Sequence, residues 1–285
     1  MRASDYLDGL PCGDVPGAAS GACVLAFDEA RASAFAKGVA GDFNPLHDAG
    51  NKRFCVPGDL LFAALLQHYG LHEEVSVSFA GMLGAHSRLT LPAPAARGGR
   101  MHLVDERGRE VLGYYASGER VEDATFIDRL SEEYVRFSGR TFPAILMPLM
   151  EQAGVMINPE RPLIIYKDMA IRLDMAALAA SLAERPAGQG DPGDPDDPDD
   201  AGGTLTLDAT EHAFSADGKK GAASVRFAIR RGDATLGEGE KNFVLTGLRA
   251  FDAGAAATLL ERHGERVAAH AARAARAARA EPRDV

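Results

Sequence analysis

The chain has 285 residues, 46% of them hydrophobic and 25% charged, a composition ordinary for a globular protein of one large domain or two ordinary ones. Its longest uninterrupted apolar run is the seven residues 60–66, far short of the ~20 that a membrane-crossing helix needs, so no membrane span is expected. The net charge of −10 would repel a phosphate backbone, and the absence of Trp weakens any base-stacking surface, so nucleic acid is not expected as a partner.

Residues 1–15 carry Asp5, Asp8 and Asp14 and lack the apolar centre of a signal peptide. Cys12, Cys23 and Cys55 form no C-x-x-C pair and leave one cysteine over in any disulfide scheme. Both features lead to the expectation of a cytoplasmic protein with reduced thiols. Residues 22–27 read as a strand. Residues 29–40 read as a helix, because Ala32, Phe35 and Val39 recur at three and four residues behind an Asp28 cap, and Gly41 closes it. Residues 59–69 form a second helix between Pro57-Gly58 and Gly70. Its Leu60, Leu61, Phe62, Leu65 and Leu66 cover every side, and a helix apolar all round must be buried all round. The wrapper follows directly: Val75, Val77 and Phe79 alternate with serines, and strands at 87–91, 101–105 and 110–116 complete an antiparallel sheet.

A second round begins near Val121. Helices are predicted over 128–137 and, as another apolar segment, over 142–152, where Pro148 would kink the helix or delay its start. Strands follow at 163–173, 204–208, 225–229 and 243–246. Between them, residues 186–203 are Pro, Gly and Asp with six Asp in 191–200 alone; such a segment cannot recover its ordering entropy and reads as a disordered acidic insertion. After residue 252 the chain becomes an Ala/Arg-rich helical tail, with Arg273, Arg276 and Arg279 at spacing three. These arginines make either a basic surface for an anionic partner or a solvated face. The expected fold class is therefore α+β, a double hot-dog of two curved antiparallel sheets, each wrapping a central apolar helix. Its first unit covers 1–120, its second 121–252, and the tail 253–285.

One stretch stands apart from this pattern: Gly41-Asp42-Phe43-Asn44-Pro45-Leu46-His47. It sets a carboxylate and an imidazole five residues apart across a helix end, and Pro45 prevents the helix from continuing through. Two such groups converging on one water can remove a proton and return it elsewhere, work typically worth ~10² to 10⁴ in rate. The same letters are also ordinary turn vocabulary, with Asn44 bonding the bend and Pro45 stiffening it.

This stretch resembles the signature of the MaoC-like, R-specific enoyl-CoA hydratases, a small residue followed by Gly-Asp-x-Asn-Pro-Leu/Ile-His; Gly41, Asp42, Asn44, Pro45, Leu46 and His47 all match. The resemblance implies a hot-dog fold and a hydratase or dehydratase acting on 2-enoyl or R-3-hydroxyacyl thioesters. It gives Asp42 and His47 the catalytic pair and Gly58 the backbone N–H that holds the thioester oxygen at the start of the buried helix, with Asn44 beside them. Acyl-CoA is then substrate, and no cofactor or metal is implied. Lys52 and Arg53 lie near enough in sequence to meet the phosphates of coenzyme A, or to neutralise Asp59, or to do neither.

The sequence departs from that family at the helix start, where Pro57-Gly58-Asp59 stands in place of His-Gly and an apolar residue. Asp59 would set a carboxylate in the field meant for the thioester oxygen, although an acid in a first helical turn is also favoured by the helix dipole. It therefore keeps two alternatives open: a non-catalytic acyl-thioester binding protein, and a hot-dog thioesterase using Asp59 itself. A longer resemblance runs through FAKGVAGDFNPLHDAGNKRFCVPGDLLFAALL, SFAGML, YVRFSGRTFPAILMPLME and MINPERPLIIYKDM. These blocks are similar to an uncharacterised proteobacterial family of unknown function, which implies a shared architecture and assigns no reaction. The second half lacks the motif: its Ser138-Gly139-Arg140-Thr141-Phe142-Pro143 has neither acid nor base, and can only wall the site. Cys55 reads as a small buried residue with no base to activate it, and His68, His72, His86 and His102 lack metal-ligand spacing. Oligomeric state is left between monomer and homodimer, since one chain can complete its own paired sheet.

Overall fold

The apolar helix α2 (Gly58–Tyr69), which follows α1 (Glu29–Phe35), is buried along most of its length, with Phe62 and Leu65 wholly inaccessible and Gln67 exposed. The computed structural model describes residues 6–7, 12–14, 21–94, 99–161, 163–183 and 204–280, so the acidic stretch 186–203 lies outside the described residues. Gly70, at φ 82°, ends α2 by donating its N–H to the Leu66 carbonyl at 2.8 Å. Around this helix run β1 (Cys12–Asp14), β2 (Cys23–Ala26), β3 (His72–Phe79), β4 (Arg88–Leu91), β5 (Gly99–Asp105) and β6 (Glu110–Arg120). Among the described residues, no helix is long and apolar enough to cross a membrane.

In the second half, Asp123 caps α3 (Ala124–Thr141) by accepting the Phe126 N–H at 2.7 Å. The helix then widens into a π-turn over Phe142–Leu146 and continues as α4 (Met147–Gln152). Two separate helices were expected here. The wider i to i+5 spacing, with the Met147 N–H reaching the Phe142 carbonyl, accommodates Pro143 and Pro148, which lack an N–H to give and crowd the preceding turn. The long helix α3 lies on the second half's strands: Tyr134 packs edge-on to Phe227 at 5.7 Å and Phe137 packs tilted against it at 5.0 Å. Next come β7 (Val155–Met156), β8 (Ile164–Leu173), α5 (Met175–Ala183), β9 (Leu205–Asp217), β10 (Lys220–Arg231), β11 (Ala234–Thr246), β12 (Arg249–Ala250) and α6 (Ala253–Ala280). Helix α5 was not expected, although Asp174 announces it by accepting the N–H groups of Ala176 and Ala177. The three long strands extend beyond the expected segments because their outer residues, as in β9, are exposed and show no apolar alternation.

The two expected sheets are one. Among the described residues, ten strands run antiparallel in the order β1-β2-β4-β5-β6-β3-β8-β11-β10-β9, with β7 and β12 as a separate pair. At the middle of the ten-stranded sheet, β3, the strand after α2, lies beside β6, and β8, the first long strand after α4, lies beside β11. The halves meet where β3 pairs with β8, setting Val75 opposite Ile171 and Val77 opposite Met169, all four buried. Of the cysteines, Cys55 is a free thiol but Cys23 is disulfide-bonded, so the expectation of reduced thiols does not hold for it.

A buried polar cluster ties the halves together above this seam. The Asp59 carboxylate accepts from Ser138 Oγ at 2.6 Å, from the Tyr166 hydroxyl at 3.0 Å and from Lys241 Nζ at 3.4 Å. Lys241 is wholly buried, donates also to Ser138 Oγ and to the Tyr134 carbonyl, and sits 3.7 Å from the centre of the Tyr134 ring. Burial pushes the Asp59 carboxyl up and pulls the Lys241 ammonium down to about 8, while their mutual attraction opposes both shifts. Removing one partner leaves the other charge buried and unpaired. Lys241→Met or Asp59→Leu alone should therefore cost ~3–5 kcal/mol in denaturant unfolding, and the double variant clearly less than the sum. Strictly additive losses would show that the two charges do not stabilise one another.

Candidate active site

The Asp42 turn is built by local chemistry. Helix α1 ends in a π-turn over Ala36–Ala40, Gly41 adopts a left-handed φ of 65°, and the Asp42 N–H closes the end on the Ala36 carbonyl at 2.8 Å. Asp42 Oδ1 then accepts the Asn44 N–H at 2.8 Å, and Asn44 Oδ1 accepts the Leu46 N–H at 3.1 Å, capping the 3₁₀ turn Pro45–His47. The Pro45 carbonyl is held in turn by Asn51 Nδ2 at 2.6 Å. These bonds bring the imidazole back over the carboxylate, with His47 Nε2 3.4 Å from Asp42 Oδ2.

The other face of the ring decides its protonation. His47 Nδ1 lies 2.7 Å from the Cys55 carbonyl oxygen, which can only accept, so Nδ1 carries a proton and Nε2 is left facing Asp42. Burial pulls His47 down, but the Asp42 hydrogen bond and charge, with the Cys55 carbonyl, outweigh it and hold the imidazole above its ordinary value of 6.5. Burial likewise pushes Asp42 up, and His47 together with the Asn44 N–H brings it below 3.8. The pair thus favours carboxylate and imidazolium, and it titrates as one unit. Cys55 contributes its carbonyl; burial pushes its thiol up to about 11, which leaves it inert as a nucleophile.

A cavity of about 550 Å³ opens beside this pair. Asp42, Asn44, His47 and Gly58 line it at one side, and Ser138 and Tyr166 from the second half at another. The remaining wall is largely apolar, with Leu61, Phe79, Leu83, Leu146, Ile164 and Phe243. Pro57, at the N-cap of α2, makes no side-chain cap bond, so the first N–H groups of that helix are not taken up by one. Gly58 is also sterically required: a Cβ there would stand 2.7 Å from the Tyr166 ring and 3.3 Å from Phe79.

The expected residues are divided by the fold. Asp42, Asn44, His47 and Gly58 share the cavity wall. Lys52 and Arg53 sit exposed on a turn, where the Arg53 N–H donates to Asn51 Oδ1 at 2.8 Å, and neither lines the cavity. Asp59 is also absent from the wall, being consumed behind it by Ser138, Tyr166 and Lys241. Ser138, Gly139, Thr141 and Phe142 of the expected wall segment do line the cavity, while Tyr166 and a face of α6 bearing Arg262, His263 and Arg266 were missed. A signal for the buried cation was present, since Lys241 is in phase with Phe243 and Leu245 on the inward side of β11.

The second half reaches the motif through a backbone-to-backbone contact. A Cβ on Gly139 would stand 1.9 Å from the Ala40 carbonyl oxygen and 2.7 Å from the Gly41 carbonyl carbon, so α3 crosses the turn with no room for a side chain. Gly139→Ala should force α3 off the turn at a cost of about 3 kcal/mol or more, read as a lowered denaturation midpoint. Unchanged stability would mean that the crossing is loose.

Comparison with known proteins gives the following. No curated protein sequence matches the chain. Among solved structures, a tesB protein of Mycobacterium avium subs paratuberculosis is similar at 8% identity and TM-score 0.43, covering 86% of this chain and 99% of that one. An acyl-CoA thioesterase II, TesB2, from Mycobacterium marinum is similar at 11% identity and TM-score 0.39, over 69% of this chain and 90% of that one. A conserved protein of unknown function with hot dog fold from Alicyclobacillus acidocaldarius is similar at 10% identity and TM-score 0.43, over 88% of this chain and all of that one, 100%. These are distant likenesses. The sequence family described as "Protein of unknown function (DUF3581)" matches residues 20–185 and 201–254, and the chain belongs to that family.

Proposed function

We propose that the protein is a double hot-dog hydratase or dehydratase that adds water to, or removes it from, the C2–C3 bond of an acyl thioester. The observation that carries this reading is the Asp42–His47 pair on the wall of an apolar cavity that also exposes the start of α2 at Gly58. The double hot-dog reading is supported by the strand order, in which each half sets its post-helix strand at the seam. The long edge pairing is then made within one chain, which favours a monomer.

In the base form of the pair, with Nδ1 still committed to the Cys55 carbonyl and Nε2 unprotonated, Nε2 and Asp42 Oδ2 are two acceptors 3.4 Å apart. A water ~2.8 Å from both donates one hydrogen to each and turns its lone pairs toward the cavity. In hydration its oxygen bonds to C3 while one proton passes to the pair; the C2–C3 π electrons move toward the thioester carbonyl, whose oxygen takes up negative charge at the Gly58 N–H. The pair then returns a proton to C2, so protons and electrons balance without a redox partner or cofactor. The N–H groups of a helix start favour that developing charge, and one such donor is typically worth about 3–4 kcal/mol. Dehydration follows the same path in reverse. A thioesterase working through Asp59 is disfavoured, because that carboxylate already accepts from three donors behind the wall.

Hydration of crotonyl-CoA and longer 2-enoyl-CoA esters by the wild type should fall at least ~10²-fold in Asp42→Ala and in His47→Ala. Equal rates in all three proteins would end the proposal. The base form of His47 is needed to accept the proton, and its pKa is raised, so kcat/KM for hydration should decline on the acid side with an apparent pKa above 6.5. In Asp42→Asn the charge that raises it is lost and burial prevails. The His47 resonance, followed by NMR, should then titrate below 6.5; a titration that stays above it would show that Asp42 does not control the imidazole.

A further inference from the structure

The C-terminal helix α6 carries a cationic face that the acid/base mechanism does not use. Leu259, Arg262, His263 and Arg266 recur at three and four residues on one side of α6, and all four line the cavity. Arg266 fixes this face over the motif turn, donating to the Phe43 carbonyl at 2.8 Å and to Asp48 Oδ2 at 2.5 Å. His263 packs edge-on to Phe43 at 5.8 Å and against Phe142 at 6.0 Å; burial lowers its pKa, so it is a neutral spacer at pH 7. Asp48 is also bridged by Lys37 at 2.9 Å, so two cations share one carboxylate and positive charge is left over. Arg262 is exposed yet also lines the cavity, so this residue stands where the cavity meets solvent. Glu261 and Glu265, the acids of this stretch of α6, do not line the cavity.

The cavity therefore has an apolar interior, an acid/base pair set in its wall and a cationic rim. A complementary ligand is apolar at the reacting end and anionic at the other. We infer that Arg262, on a helix anchored by Arg266, binds the phosphate groups of a phosphopantetheine-borne thioester while its acyl end extends inward to Asp42 and His47. The identity of the thioester rests on the hydratase reading; the anionic character of the ligand rests on the rim. A guanidinium suits this task because its forked donors pair with two phosphate oxygens at once and stay charged at any physiological pH. Lys52 and Arg53, off the cavity wall, are thereby replaced as the phosphate contacts.

The test compares butyryl-CoA, a saturated ester that cannot be hydrated, with butyryl-pantetheine, which has the same thioester and no phosphate. Binding of each is measured by calorimetry for the wild type, Arg262→Gln and Arg262→Glu, with circular dichroism to verify folding. The wild type should bind the CoA ester more tightly, and that advantage should shrink as salt is raised. In Arg262→Gln it should fall about tenfold, and further in Arg262→Glu. Equal affinity of the wild type for the two esters, or an unchanged preference in both variants, would overturn the inference. The same experiment separates the two readings. A wild type that binds butyryl-CoA through Arg262 yet hydrates no enoyl ester retains this site and loses the hydratase. One that hydrates crotonyl-CoA with no contribution from Arg262 does the opposite.

Discussion

The pairing of β3 with β8 is the constraint on which the rest of the molecule depends. Each strand follows its own half's buried helix, and their ladder joins Glu74 through Ser78 to Arg172 through Asp168. An antiparallel ladder of this kind fixes register to the residue, because a slip by one would turn Val75, Val77, Met169 and Ile171 out of the core. Once the strands are locked, α2 and α3 are brought side by side, and Phe62 stacks on Tyr134 at 4.2 Å. The cavity is the space left between the halves where these helices meet the motif turn. Neither half builds it alone, since Asp42, His47 and Gly58 come from the first and Ser138, Tyr166 and Phe243 from the second.

The charges of this region are sorted into three layers with different surroundings. Deepest is the Asp59–Lys241 pair, out of contact with water and satisfied by Ser138, Tyr166 and the Tyr134 carbonyl. It holds the two halves in register and keeps a carboxylate out of the cavity, so the field at the start of α2 stays favourable to negative charge. On the cavity wall is the Asp42–His47 pair, whose proton is governed by the Cys55 carbonyl on the far side of the ring. At the rim are the arginines of α6, nearest to solvent. The same attraction between opposite charges acts in all three layers, but water access differs, and that difference separates a structural pair from the pair proposed to react and the cations proposed to bind.

Helix α6 changes the meaning of the C-terminal segment. By composition it is an Ala/Arg tail, and Arg273 and Arg276 are indeed exposed. Its middle, however, is held on the motif turn through Arg266, His263 and His270, the last of which packs 5.9 Å from the Phe43 ring. The aromatic ring inside the Gly-Asp-x-Asn-Pro stretch, otherwise the unspecified position of that motif, is the contact by which α6 is seated.

The sequence alone determined what short-range physics controls. A helix apolar on all sides had to be wrapped, alternating Val75, Val77 and Phe79 had to form a strand, and Gly41 with Asn44 and Pro45 had to bend the chain so that an acid and a base five residues apart meet. Each of these outcomes depends on neighbours within a few residues, where spacing and backbone preference suffice. The tertiary structure decided the rest. That the sheets fuse into one, that Asp59 turns to Lys241 and not to the cavity, and that Arg262 and not Lys52 reaches the rim all depend on groups distant in the chain, such as Ser78 and Asp168 or Asp59 and Lys241. Composition assigns a charge to each of these residues but no direction, and direction is set only when packing determines which opposite charge, and how much water, stands beside it.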